Sequence, residues 1–138
     1  MLFLQETIQY PSNSLGEVFW DWGIPTAVSL IEAVQTVKIP VVVSGGVRSG
    51  LDVAKSLALN ASLASISQPV LEAAVKGTEE TEQLLSCLIE ELRNVMFLVG
   101  AENLEGLAKV PLVVAGKTAD WLNIRGFKVK KYAQRGAR

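Results

Sequence analysis

Apolar positions along the chain change period several times, and each change predicts an element. Behind Pro25, the residues Val28, Ile31, Val34 and Val37 recur three apart and predict a helix with one buried face. The next run is of another kind. IPVVVS, from Ile39, is continuous, rich in valine and too short for a helix, which predicts a strand covered on both faces as in a parallel sheet. After Gly45 and Gly46 the apolar residues Leu51, Ala54, Leu57 and Ala58 return at spacings of three and four, with Ser49 or Asp52 placed to serve the amides of the first turn. ASLASIS, bounded by Asn60 and Pro69, predicts a second short strand, and Asn60 suits a left-handed helix stop. The order strand, helix, strand is a βαβ unit.

The stretch GTEETEQLLSCLIEELRNVMFLVG carries the strongest helical pattern in the chain. It places Leu85, Leu88, Ile89, Leu92, Val95, Met96 and Val99 on one face, with acidic residues in its first turn and Gly100 as its stop. ENLEGLAKVPLVVAG then reads as a short helix and an apolar segment, and KTADWLNIRG as a last helix ending at Gly126. The flanks are weaker. Residues 1–14, with a turn-like Pro11 to Ser14, read as an irregular arm, 15–126 as the folded part, and 127–138 as a solvated basic tail carrying Lys128, Lys130, Lys131, Arg135 and Arg138.

Composition narrows the classes. At 138 residues the chain is one domain's worth of sequence, and 13 basic against 14 acidic side chains give no bias toward nucleic acid or an anionic membrane surface. No apolar run approaches the ~18 residues of a membrane span, and MLFLQETIQYP lacks the features of an export signal. A single cysteine, Cys87, cannot form an intrachain disulfide, so the expected compartment is the cytoplasm. The chain has no histidine, which removes the usual general base near neutral pH. Glu79, Glu80, Glu82, Glu90 and Glu91 read as a solvated helix face rather than a metal cage, Cys87 as an indifferent thiol, and Phe19, Trp20 and Trp22 as a core-packed aromatic cluster. No catalytic or metal-binding residue is assigned.

The remaining chemistry sits in SGGVRSG. A strand that turns into a helix at glycines brings backbone amides and a positive helix end to one point, and a side-chain-free approach suits an anion such as phosphate. Arg48 adds a fork of donors matched to phosphate oxygens. The spacing of Gly45, Gly46 and Gly50 is neither the dinucleotide fingerprint nor a Walker loop. On the residues alone, two readings stay open: a phosphate cradle, or a tight turn with a solvated arginine.

Several motifs in order carry a resemblance: FWDWGIPTAVSLIE, VVVSGGVRSGLDVAKSLAL, ASLASIS followed by PVLEAA, and RNVMFLVGAENLEGL. From about Gly16 onward the chain resembles the C-terminal part of the type 2 isopentenyl-diphosphate isomerases. The resemblance implies an α/β fold, part of a flavin-dependent (β/α)8 TIM barrel: its seventh and eighth strands with their helices and a C-terminal helical extension. It implies FMN as cofactor, with contacts to the flavin phosphate at Gly46, Val47 and Arg48, Gly45 beside them, and at Ser67 and Gln68. Such barrels commonly bind phosphate between the loops after these two strands. Family members usually carry a small apolar pair where this chain has Ser67 and Gln68, and Gly-Ala-Asp where it has Asn60-Ala61-Ser62.

For a complete family member the resemblance implies interconversion of isopentenyl and dimethylallyl diphosphate with reduced FMN, Mg2+ and NADPH. The residues that handle substrate, proton and magnesium lie on earlier strands, and no position here matches them. Two strands cannot close a barrel of eight, so the expectation is a catalytically silent piece, and the atypical first fourteen residues favour a truncated or shifted reading frame over a clean domain cut. It is expected to form a homo-oligomer or to need a completing N-terminal chain. Two alternatives stand beside this one: a non-catalytic, self-associating fragment that has lost its flavin, and part of another FMN-dependent barrel such as the hydroxy-acid oxidases or inosinate dehydrogenases. FWDWGIPTA and VGAENLEGL argue against the latter.

Overall fold

The structure, a computed structural model, describes residues 18, 19 and 22–136. Helix α1 (Thr26–Thr36) follows Pro25, whose fixed φ of −56° suits a helix entrance, and it buries Val28, Leu30 and Ile31. Val37 lies past its end in extended conformation and is exposed, so the apolar stripe is one member shorter than its spacing suggests. Strand β1 (Val42–Val43) leads through the glycine turn into α2 (Gly50–Ala58), which returns to β2 (Leu63–Ala64). The strands are parallel, with Val42 opposite Leu63 and Val43 opposite Ala64. The amide of Ser62 donates to Val41 O at 2.8 Å and that of Ser65 to Val43 O at 2.8 Å. The βαβ unit is therefore present, and Asn60 ends α2 at φ 74°. The described residues are α/β, with more than half of them helical.

After β2 come α3 (Gln68–Lys76), α4 (Thr78–Leu98), α5 (Leu104–Leu107), α6 (Gly116–Ile124) and α7 (Lys130–Ala133). The pattern behind Pro69 gave no separate helix at α3; Gly77, at φ 150°, is the break that divides it from α4. The core joins Val28, Leu30 and Ile31 of α1 to Val43, Val47, Leu59 and Ala61 of the βαβ unit, and to Leu122, Val129 and Tyr132.

Three expectations are corrected. The strand read as covered on both faces is covered on one: Val43 is buried, while Val42 and Leu63 are 56% and 59% exposed side by side. Successive strand residues point to opposite faces, and no described element covers the face these two share. The same shortage of cover marks α4, which packs on α2 and α3 yet buries only Leu88, leaving Phe97 and Leu98 exposed. Second, the described part of the aromatic cluster is outside the core: Phe19 and Trp22 meet edge to face at 6.1 Å, and Trp22 is 74% exposed. Trp20 and the arm 1–14 lie outside the described residues.

Third, the basic tail folds back, as far as Gly136, the last residue described. Its cations flank Val129 and Tyr132, three apart and both buried, and this apolar pair outweighs the surrounding charge. Leu112 donates from its amide to Tyr132 O at 3.0 Å. Arg135 donates to Ala58 O and to Asn60 Oδ1 (2.9 Å), and its guanidinium lies 4.6 Å from the Tyr132 ring centroid. Gln35 pairs both ends of its amide with the Lys128 backbone, and Arg125 grips Glu32 at 2.5 and 3.2 Å. The segment thus ties α1 to the carboxyl end of α2.

Candidate functional site

Parallel pairing carries the carboxyl ends of β1 and β2 to the same side of the sheet, so the turn 44–49 and the segment 65–67 leave the fold together. Gly45 and Gly46 take φ of 89° and 75°, the left-handed region where glycine carries no Cβ penalty. A Cβ on Gly46 would meet Thr26 Oγ1 at an ordinary 3.9 Å, so conformation rather than crowding calls for glycine there. The Thr26 hydroxyl donates to Gly45 O at 2.9 Å. Among the described residues none accepts from the amides of Gly45, Gly46 or Val47. Val47 is buried in the core and offers the turn only its backbone, whereas Arg48 is exposed and its guanidinium has no partner among the described residues.

The start of α2 is capped by Ser49 and Asp52, the residues its sequence offers for the first-turn amides. Its positive end is already served by two carboxylates of the chain. Asp52 Oδ2 accepts from the amides of Arg48 (3.2 Å) and Ser49 (3.1 Å) and from Ser49 Oγ (2.8 Å), while the Asp52 amide donates back to Ser49 Oγ at 3.1 Å, a complete capping box. Glu91 Oε2, reaching across from α4, accepts from the Gly50 amide at 2.6 Å. Gly50 is there for packing: a Cβ would fall 2.5 Å from both Leu88 O and Leu92 N. The donors left for an external anion are therefore those ahead of the helix, the amides of Gly46 and Val47 and the Arg48 fork.

At the end of β2, Ser67 precedes α3, is exposed, and makes no side-chain cap bond. Gln68 spends its side-chain amide on Glu72 Oε1 at 2.9 Å, so its contribution at this helix start is the backbone N–H. Pro69 in the first turn forgoes a donor that would lack a helical partner anyway. The glycine turn follows β1 and the start of α3 follows β2, at the same end of the parallel pair.

Other candidates lie elsewhere. A cavity of about 440 Å3 opens at the amino end of β2, lined by Val53, Leu57, Leu63, Leu92 and Leu104, away from the glycine turn. Cys87 is exposed, its thiol lies 3.7 Å from Glu91 Oε1, and that carboxylate raises its pKa, the opposite of an activated nucleophile. No group of three or more acids, cysteines or histidines among the described residues is placed to hold a metal ion, and no described helix is long and apolar enough to cross a membrane.

A family model of FMN-dependent dehydrogenases matches residues 19–113, a span that contains the glycine turn and both strands. The chain belongs to the FMN-dependent dehydrogenase family. Within it, the chain is 51% identical over 130 residues to the isopentenyl-diphosphate delta-isomerase of Methanothermobacter thermautotrophicus, covering 94% of this chain and 37% of that protein. It is 46% identical over 127 residues to the isomerase of Methanosarcina barkeri, covering 92% of this chain and 34% of that one, and 49% identical over 114 residues to that of Thermococcus onnurineus, covering 82% and 30%. The resemblance carried by the motifs, to the C-terminal part of the type 2 isopentenyl-diphosphate isomerases, stands. The chain spans about a third of the length of the curated relatives it matches.

The sequence singled out Gly45, Gly46, Val47, Arg48, Ser67 and Gln68, and the fold sends all six toward the carboxyl end of the sheet. It passed over Thr26 and Glu91. Thr26 looked like an ordinary first-turn residue of α1, and Glu91 like one acid of a solvated face; their partners are distant in sequence, which no periodicity reveals.

Proposed function

We propose that this chain supplies the flavin-phosphate end of an FMN-dependent isopentenyl-diphosphate isomerase, its residues 15–126 forming the seventh and eighth strand segments of the TIM barrel with their helices. The observation that carries the reading is the rim of donors around Gly46: amides without an acceptor among the described residues beside an exposed arginine, in a chain half identical to isomerases of this name. The donor set suits a phosphate dianion, with Gly46 and Val47 giving backbone N–H groups, Arg48 a bidentate guanidinium, and Ser67 and Gln68 the start of α3. Ser67 strengthens the set, because its hydroxyl is free of capping duty. Bound FMN supplies the redox-active ring; the residues of this chain hold its phosphate and fix its position.

In the completed barrel the reaction is the interconversion of isopentenyl and dimethylallyl diphosphate, with Mg2+ and NADPH used by residues this chain does not contain, in the cytoplasm. No residue of this chain is assigned to the chemistry, and the isolated chain is silent because it offers neither histidine nor a metal cage among its described residues. A completing N-terminal chain is the partner that the bare strand face of Val42 and Leu63 favours. The test is a parallel titration with FMN and riboflavin, repeated with Arg48→Ala. Preference for the phosphorylated flavin that falls by about 10- to 100-fold in the variant, as loss of a charge-assisted contact requires, supports the reading. Equal affinity for both flavins overturns it.

One observation favours a second reading. The exposed apolar residues of β1, β2 and α4 suit a self-associating remnant without flavin. In that case neither flavin binds and the oligomer forms regardless.

A further inference from the structure

Thr26 is the first residue of α1, and its helix is entered from Pro25 without a side-chain cap. Its hydroxyl instead reaches nineteen residues along the chain to Gly45 O, at 2.9 Å. That carbonyl belongs to the same peptide unit as the Gly46 N–H, and across a trans peptide the two point in opposite directions. Holding Gly45 O toward α1 therefore aims the Gly46 amide away from α1.

This restraint matters because both residues flanking the peptide are glycines, at φ 89° and 75°. Glycine reaches either sign of φ at little cost, so the plane between two glycines can turn over and present its carbonyl where its amide had been. A carbonyl oxygen facing a phosphate repels it. Val47 anchors the far side of the turn in the core, and the Asp52 capping box fixes Arg48 and Ser49; the Gly45–Gly46 plane has the Thr26 hydroxyl.

We infer that Thr26 is a positioning residue for anion recognition: its hydroxyl locks the Gly45–Gly46 peptide so that the Gly46 amide faces the flavin phosphate. The inference rests on the proposed phosphate site and concerns how that site is held in shape. Thr26 itself touches no ligand.

The experiment uses the full chain with Thr26 unchanged, Thr26→Val and Thr26→Ser, each titrated with FMN and with riboflavin. Valine keeps the branched shape and removes the hydroxyl; serine keeps the hydroxyl. Thr26→Val is expected to lose roughly three- to tenfold in FMN affinity, the range of one hydrogen bond, with riboflavin affinity unchanged, and Thr26→Ser is expected to restore the preference. A preference that survives in Thr26→Val, or affinities for both flavins falling together, overturns the inference while leaving the phosphate site standing. No preference in the unchanged chain overturns the site and the inference with it. A variant-free readout runs alongside: amide hydrogen exchange at Gly46 slows when FMN is added, and exchange that stays the same in the FMN-bound chain also overturns the inference.

Discussion

Gly46 and Gly50 lie four residues apart and answer substitution for different reasons. At Gly46 an alanine must hold φ near 75° with open space around it, and the expected cost is roughly 1–2 kcal/mol, the penalty of a left-handed conformation. At Gly50 the backbone is helical, so alanine gains up to ~1 kcal/mol in helix propensity, but its methyl collides with the main chain of α4. Backbone cannot step aside as a side chain can, and overpacking of this kind costs about 1–3 kcal/mol or more. Urea denaturation is expected to rank Gly50→Ala as the less stable variant, with flavin preference altered chiefly in Gly46→Ala. SGGVRSG suggested one glycine-rich loop; only the contact with α4, 38 to 42 residues away, separates a conformational glycine from a packing one, and local spacing carries no trace of it. Asn60 shows the opposite case, since its left-handed φ follows from its own side chain and was legible.

Elements were legible where the chain alone decides them. The capping box of α2 is written in Ser49 and Asp52, and Ser49→Ala is expected to remove about 1 kcal/mol from stability, read by thermal denaturation. The bounds of α4 follow from its acidic first turn and from Gly100. Strands depend on neighbours. IPVVVS and ASLASIS are six and seven residues of strand-forming sequence, yet only two residues of each pair, because each strand has a single partner among the described residues. The valine-rich run speaks of two covered faces and the fold supplies one. The curated relatives this chain matches are some three times its length. The basic tail failed as a reading for another reason: charge dominates its composition, while Tyr132 and Val129 dominate its energetics.

At the scale of the molecule, Tyr132 joins the tail to the core, with its phenol oxygen buried and lacking a hydrogen-bond partner among the described residues. Burial pushes its pKa above 10, against a smaller opposing pull from the nearby Gln35 amide and from Arg135. A raised acid stabilises the fold below its unfolded value and gives that stability up as pH climbs through its folded value. Burial lowers Lys131, whose contribution runs the other way and is complete above pH 10.5. The loss of stability as pH climbs above 10, read by urea denaturation at a series of pH values and followed by circular dichroism, is therefore expected to be smaller in Tyr132→Phe than in the unchanged chain.

Among the described residues, the pairing of β1 with β2 leaves each strand one outer edge, and the two edges differ. A dimer built through either one still has two edges showing. Copies that keep every strand parallel join head to tail, and each addition recreates the edge it covered. Sedimentation over a concentration series is expected to show growth beyond the dimer without a plateau there. A copy added at one edge leaves another edge bare, so growth stops only where the rotation between copies closes a ring or where a different partner covers both edges at once.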